Sequence, residues 1–476
     1  MTSLAEIDLL IILVFFGIVL LIGFSSRITD TSRSSDYILG GRNVGIIVFV
    51  LINVSTWYGG VLGIGEFTYS YGLSSWLTQG MPYYFFALLF AFLLAGKIRR
   101  TEYFTISEKI ASVYGNKTAR NAAILVFILV NPAPYLLIFG TLLSVLTGLQ
   151  TTITMLVGIF VSIIYLIKWG YRSDIRTDIF EFFVMFIGFG ITLWLLITNF
   201  GGVHFLRAAL PEQHLNLTGG LPPLYIIVWF LIALWTFADP GFHQRCYAAK
   251  TPDVAKYGII ISIFLWFIFD FLTTGVGLYA RALLPEIDRP ASAFPLLGLQ
   301  ILNPGIRGIF FAAMFATVMS TLNSYFFMSG VTFARDIVLW KDNPMHRENK
   351  STRWIRIGIV ISSIIAYLIA VSVDSVIGIW YLAGSIVIPP LLFLIVSSYY
   401  ETLRIPIKYA NVQMFLSLSL GLIWHILRVT GTLGNLLEMI EPMIMGLLTA
   451  FTVYIYAVMR KKKEPVERSA PKKLGQ

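Results

Sequence analysis

The sequence predicts an all-α polytopic membrane protein of thirteen transmembrane helices, ten of which form a five-plus-five inverted-repeat core. Three observations predict it. First, apolar runs of about 20 residues recur along a chain of 476 residues that is 57% hydrophobic and 13% charged, with mean hydropathy +0.79. A run of that length spans a bilayer core of about 30 Å, and helices satisfy their own backbone groups there. Second, basic residues fall almost wholly on alternate loops. Third, the second and seventh spans are interrupted by glycine or proline at matching positions.

The first span is 7–24. It follows an acidic start with Glu6 and Asp8 and lacks the basic segment of a cleaved signal peptide, so it reads as a retained helix. The core opens with 44–70, which contains NVSTWYGGVLGIGE with glycines at 59, 60, 63 and 65. Spans 75–96, 121–148, 150–167 and 178–200 complete the first repeat. The second repeat begins with 222–244, which contains WTFADPGFHQR, and continues through 257–280, 308–334, 357–373 and 375–400. Spans 409–427 and 435–459 close the series. The chain therefore divides into an extra helix and loop (1–43), two core repeats (44–200 and 201–400), two C-terminal helices (401–459) and a basic tail (460–476). Interrupted helices at corresponding positions of two halves point to a transporter that binds its solute near the bilayer midplane. A packing kink in each span is the alternative.

Of the 35 lysines and arginines, 30 lie on one set of alternate loops and five on the other: Arg207, Arg281, Arg289, Arg307 and Arg428. The positive-inside rule then puts the N-terminus outside and the C-terminus in the cytoplasm of a cell membrane. The net charge of +10 follows from this asymmetry rather than from nucleic-acid binding. The tail RKKKEPVERSAPKKLGQ fits an anionic lipid surface or a topology signal. Cys246 is the single cysteine, which excludes an intrachain disulfide and a cysteine-based metal cluster. The five histidines lack metal spacing, and no phosphate-binding loop or nucleophile constellation stands out. An enzyme, an organic cofactor and ATP-driven transport are therefore not expected.

Within 308–334 the stretch FATVMSTLNSYFF is unusually polar for a membrane helix. Thr317, Ser320, Thr321 and Ser324 recur at i, i+3, i+4 and i+7 and so share one face. Small and hydroxyl residues permit close helix packing in lipid, which is one reading. The other is a cation site. Hard cations take oxygen ligands. Hydroxyls on adjacent turns supply some, and the unwound carbonyls of the interrupted second span supply the rest.

The segment GIRGIFFAAMFATVMSTLNSYFFMSGVTFARDI resembles the signature of the sodium/solute symporter family. LINVSTWYGG resembles that family's first core helix, WGYRSDIRTDIFE the start of its fifth, and LLPEI…NPGIRG the loop before the signature. The resemblance covers about 7–460 and implies the thirteen-helix form of the leucine-transporter-type inverted-repeat fold. It implies a first sodium site made of the carbonyls of Leu51, Val54 and Thr317 and the side chains of Ser320 and Thr321. A second site found in some members maps onto Asp178, Ser320, Asn323 and Ser324, with Asn323 replacing a serine. Asp178 has a plainer reading as an ion-pair partner of Arg172 or Arg176. The family's Leu-Asn-Ser one turn later is replaced by Phe326, Phe327 and Met328.

The expected solute site draws Asn53, Ser55, Thr56 and Trp57 from the first core helix. Gln79 and Tyr83 join from the second, and Trp235 and Thr236 from the sixth. STWYGG looks closest to choline-type members, so Trp57, Tyr83 and Trp235 could form an aromatic cage for an ammonium group. Interfacial aromatic belts are the alternative. Three further intramembrane acids are Glu66, Asp239 and Asp270, each a cation ligand, a proton relay or a paired group. Asp239, before Pro240, also suits a helix cap. The reading is a sodium-coupled secondary active symporter of a small organic solute. Its partners are the solute, the co-transported sodium ion and the bilayer, and no oligomeric state is implied. The rivals are a proton-coupled carrier using Asp178, Asp239 or Asp270 and a symporter-like membrane sensor.

Overall fold

A computed structural model describes residues 4–26, 34–342, 344–373, 375–432 and 440–461. The expected tail therefore lies outside the described residues from 462 onward, as do Arg27, Arg33 and the first part of the expected span 435–459.

We number the principal helices α1 (Glu6–Ser25), α2 (Ile46–Tyr58), α3 (Val61–Tyr71), α4 (Trp76–Arg99), α5 (Ile106–Leu129), α6 (Ala133–Thr147), α7 (Thr151–Trp169) and α8 (Tyr171–Phe200). There follow α9 (Pro223–Ile232), α10 (Pro240–Ala248), α11 (Pro252–Leu283), α12 (Ile306–Val331), α13 (Pro344–Ser372), α14 (Val376–Ser398), α15 (Ile407–Val429) and α16 (Pro442–Lys461). Among the described residues twelve spans are long and apolar enough to cross a membrane, or thirteen when the bent pair α2–α3 counts as one. Among the described residues there is no strand, only an isolated bridge between Val44 and Ala249. Large apolar side chains such as Leu21 (72% exposed) and Phe271 (67%) point outward, as a lipid-facing surface requires.

The expected spans correspond closely to these helices, though several helices begin earlier; α13, for one, starts at Pro344 rather than 357. The sequence reading begins the third core segment at 121, whereas a helix already starts at Ile106. Lys109, Lys117 and Arg120 make that stretch read as a loop, yet Ile106, Ile110 and Tyr114 bury one face of it. Thr105 caps it, accepting the Glu108 N–H at 3.1 Å, while the Glu108 carboxylate accepts the Phe104 N–H at 2.8 Å. Gly115, at φ 80°, then bends the helix. α8 likewise starts at Tyr171 rather than 178. Gly170 turns the chain at φ 57°, and the extra turns carry Asp174 and Asp178 into the interior.

α12 is the central strut. Almost all of it is buried, whereas α1 and α15 are mostly exposed. It packs on α8, with Gly188 placed so that an added Cβ would come within 2.4 Å of the Ala313 Cβ. From the other side α1 holds its N-terminus. The fully buried Asp8 carboxylate accepts the Gly305 and Gly308 N–H groups at 2.7 and 2.9 Å, filling the donors that a helix start leaves open.

Candidate functional site

α2 ends in Ser55-Thr56-Trp57-Tyr58-Gly59-Gly60, and α3 departs at 57° to it. Its last turn tightens to a 3-10 form over Thr56–Tyr58. The glycines let the break seat against its neighbours. A Cβ on Gly59 would lie 2.3 Å from the Thr321 Cβ, and one on Gly60 would lie 2.1 Å from the Trp380 ring.

α12 meets this break with the predicted polar face. Thr317, Ser320, Thr321, Asn323 and Ser324 are all at most 1% exposed. The Thr321 hydroxyl donates to the Thr56 carbonyl at 2.6 Å and lies 3.4 Å from the Thr317 carbonyl. The Ser320 hydroxyl is 2.7 Å from Asp178 Oδ1 and 3.3 Å from Thr56 Oγ1. Thr56 Oγ1 in turn lies 3.2 Å from Asp178 Oδ2 and donates to the Ile52 carbonyl at 2.7 Å. Thr317 bonds back to the Met314 carbonyl at 2.7 Å, a contact that loosens a helix locally. Val54 is fully buried and Leu51 half-buried on the preceding turns of α2. The side chains assigned to the first sodium site thus stand together at the break.

Asp178 turns inward to these hydroxyls rather than to a surface arginine. Arg172 reaches Asp36 at 3.4 Å, and Arg176 donates to the Ser25 carbonyl at 3.2 Å. The second predicted set is divided: Ser320 bonds Asp178, Ser324 bonds Asp174 at 2.7 Å, and the Asn323 amide nitrogen bonds the Tyr165 hydroxyl at 2.6 Å. Sequence reasoning overlooked Asp174, Glu181 and Tyr165. The signal for the acids was present, since Asp174, Asp178 and Glu181 recur at i, i+4 and i+7 on α8.

Beside the break lies a cavity of about 100 Å³. Asn53, Thr56, Trp57, Gln79, Tyr83 and Trp235 line it, as expected. Ser55 and Thr236 do not; their hydroxyls bond the Ile52 and Ala233 carbonyls of their own helices at 3.4 and 3.0 Å. Tyr58, Tyr135, Arg245, Tyr325 and Trp380 complete much of the wall. Trp57 itself packs against other rings, with centroids 4.8 Å from Tyr83, 5.2 Å from Trp266 and 5.6 Å from Phe242.

Two of the three further acids reach this cavity. Asp239 breaks the seventh span with extended backbone and caps α10, its Oδ1 accepting the Gly241 and Phe242 N–H groups at 2.6 and 3.2 Å. Its Oδ2 accepts from Trp235 Nε1 at 3.2 Å and the Tyr325 hydroxyl at 2.9 Å, so the carboxylate is well satisfied. Asp270 receives the Tyr84 hydroxyl and faces a π-helical turn at Trp76–Gly80. Gly80 makes room there, since its Cβ would come 2.8 Å from Asp270 Oδ2. π-turns inside α-helices are frequent at functional sites. Glu66 is half-buried on α3 and does not line the cavity. Gln244 donates to the Ile38 carbonyl at 3.1 Å.

A model of the sodium:solute symporter family matches residues 37–403. The chain belongs to that family. As a member it is a membrane carrier that couples sodium to a small solute, in a family of transporters rather than enzymes. Among its relatives, sodium/proline symporter 2 of Staphylococcus saprophyticus is 25% identical over 390 residues, covering 76% of this chain and 75% of that protein. A sodium/proline symporter of Staphylococcus aureus is also 25% identical, over 76% of this chain and 74% of its own length. A Na⁺-coupled sialic acid symporter in a substrate-bound outward-open state shares the fold, with TM-score 0.81 at 15% identity, over 97% of this chain and 98% of that one. A nucleobase-cation-symport-1 family transporter in a closed conformation matches with TM-score 0.60 at 13% identity, over 92% and 97%.

Proposed function

We propose that this sodium:solute symporter imports a small organic solute by alternating access, with sodium bound where α12 meets the break after α2. The observation that carries the reading is the convergence of Ser320, Thr321, Asp178 and the Thr56 carbonyl at that break. The ligand oxygens are those of Leu51, Val54, Thr317, Ser320 and Thr321. Sodium there joins α2 to α12 and favours the conformation whose solute cavity is open to the outside. Solute then binds between α2, α4, α10 and α12, against Asn53, Thr56, Trp57, Gln79, Tyr83 and Trp235. Coupling needs only that each ligand bind one conformation better than the other.

The N-terminus is placed outside and the C-terminus in the cytoplasm, with the two core repeats at 44–200 and 201–400. The curated names of the relatives make proline the first solute to try. Reconstituted protein tests the proposal: uptake of labelled proline, and of sugars, organic acids and choline, is followed under an inward sodium gradient. Uptake by at least one solute that stops when potassium replaces sodium supports it. Uptake that persists in potassium and collapses with the proton gradient contradicts it.

A further inference from the structure

Three N–H donors on the wall of the cavity have no acceptor. They are Asn53 Nδ2 on α2, Gln79 Nε2 on α4 and Arg245 Nε on α10, and each of these atoms is buried. A buried N–H costs free energy until an acceptor reaches it. A solute seated there has to bring the missing oxygens, and it has to offer them to donors from three separate helices.

The charges of the wall narrow the choice. Arg245 is 5% exposed and stands beside Asp239: a Cβ on Gly241 would lie 2.7 Å from both Arg245 Nη1 and Asp239 Oδ1. The guanidinium thus has an anion for a neighbour, while the oxygens of that anion serve four other donors. Arg245 therefore offers the solute a free N–H rather than a wholly uncompensated charge. The other acid of the wall, Asp270, accepts the Tyr84 hydroxyl, and a carboxylate keeps further lone pairs for an N–H of the solute. An uncharged molecule with carbonyl oxygens on more than one edge and an N–H answers this set. A lone carboxylate presents both of its oxygens at one end, and a quaternary ammonium group presents none.

Size and shape agree. The cavity of about 100 Å³ is below the roughly 150 Å³ known to take a benzene, so it holds no more than one small ring. Aromatic side chains supply much of its wall. Trp57 and Tyr83 lie with centroids 4.8 Å apart, and Tyr135 and Trp380 with centroids 5.9 Å apart. Such side chains pack well on a flat ring, either stacked or edge to face.

We propose that the solute is an uncharged, flat heterocycle of one ring that carries carbonyl oxygens at separate positions and a ring N–H, the chemistry of a cyclic imide, a cyclic ureide or a pyrimidinedione. Asn53, Gln79 and Arg245 donate to its oxygens, and Asp270 accepts from its N–H. This solute class rests on the sodium-coupled reading and completes it.

Calorimetric titration of the full-length protein in lipid nanodiscs tests it, with uracil and hydantoin as probes and proline, choline and benzoate as solutes of other chemistry, each in sodium and in potassium. In sodium, uracil or hydantoin is expected to bind at least about tenfold more tightly than any of the other three. Gln79→Glu keeps the side-chain volume and turns a donor into an acceptor. It is expected to weaken binding of the ring probe by about tenfold or more, as loss of one hydrogen bond would. Should Gln79→Glu fail to fold, Gln79→Leu removes the same donor and carries the same expectation. Tighter binding of proline, choline or benzoate, no binding of either ring probe, or an affinity that the Gln79 variants leave unchanged overturns the solute class. The sodium reading survives each of those results, because sodium-dependent stability without solute tests it separately. Ring probes that bind equally well in potassium support the solute class and contradict the coupling.

Discussion

The Thr321 hydroxyl donates a 2.6 Å hydrogen bond to the carbonyl of Thr56, and so ties the central helix α12 to the point where α2 breaks. That contact needs the bare backbone of Gly59, whose added Cβ would stand 2.3 Å from the Thr321 Cβ. Gly59→Ala is therefore expected to force the break away from α12. Overpacking of this kind costs about 1–3 kcal/mol. Thermal unfolding of the purified variant should show the loss, and sodium should no longer raise its stability.

Asp239 caps the start of α10. Its Oδ1 serves two backbone N–H groups at the start of α10 and its Oδ2 a tryptophan and a tyrosine. Asp239→Ala should destabilise the protein by about 1–2 kcal/mol, the range of a lost N-cap. The number of sodium ions bound per folded chain should not change, as equilibrium binding would report.

Asp270 behaves differently, because it lines the cavity where we propose solute binds and accepts the Tyr84 hydroxyl. Asp270→Asn should weaken solute binding by roughly tenfold to a hundredfold, the scale of a lost hydrogen bond to a charged group. Sodium-dependent stabilisation without solute should survive. Binding titrations in sodium, with and without solute, separate the two effects.

Outside the cavity lining, Arg335 grips the Glu108 carboxylate at 2.7 and 2.9 Å, and Arg347 approaches it at 3.4 Å. Both partners of the main pair are buried, with side chains 5% and 9% exposed. Glu108→Gln takes the shared carboxylate from both guanidinium groups and leaves Arg335 only the more distant Glu348, at 3.7 Å. Breaking such a buried pair from one side costs about 3–5 kcal/mol. A fall in the unfolding midpoint, with solute affinity unchanged in the folded fraction, is the expected result.

Much of this architecture was legible in the sequence, and the reasons are local. Spans such as 7–24 and 150–167 announce themselves because lipid demands a continuous apolar helix. The polar face of α12 was legible because hydroxyls at helical spacing stand out against Phe310, Phe311 and Phe315. Glu181 was legible only in part: its helical spacing from Asp178 shows in the sequence, but that its carboxylate has no partner does not. Asp174 was missed because a start at 178 left it in a loop. Arg245, Tyr135 and Trp380 join one cavity from three helices far apart in the chain, and only packing brings them together. The cap on Asp8 is of the same kind, since Gly305 lies almost three hundred residues away.

The central claim is that sodium binds where the α12 hydroxyls meet the α2 break, and the thermal stability of purified protein in sodium against potassium tests it most directly. A ligand that binds only the folded state raises its stability. The account predicts a rise specific to sodium in wild type that is lost in Ser320→Ala, whose hydroxyl bridges Asp178 and Thr56. A sodium-specific rise that persists undiminished in Ser320→Ala, or no rise in wild type, would contradict it.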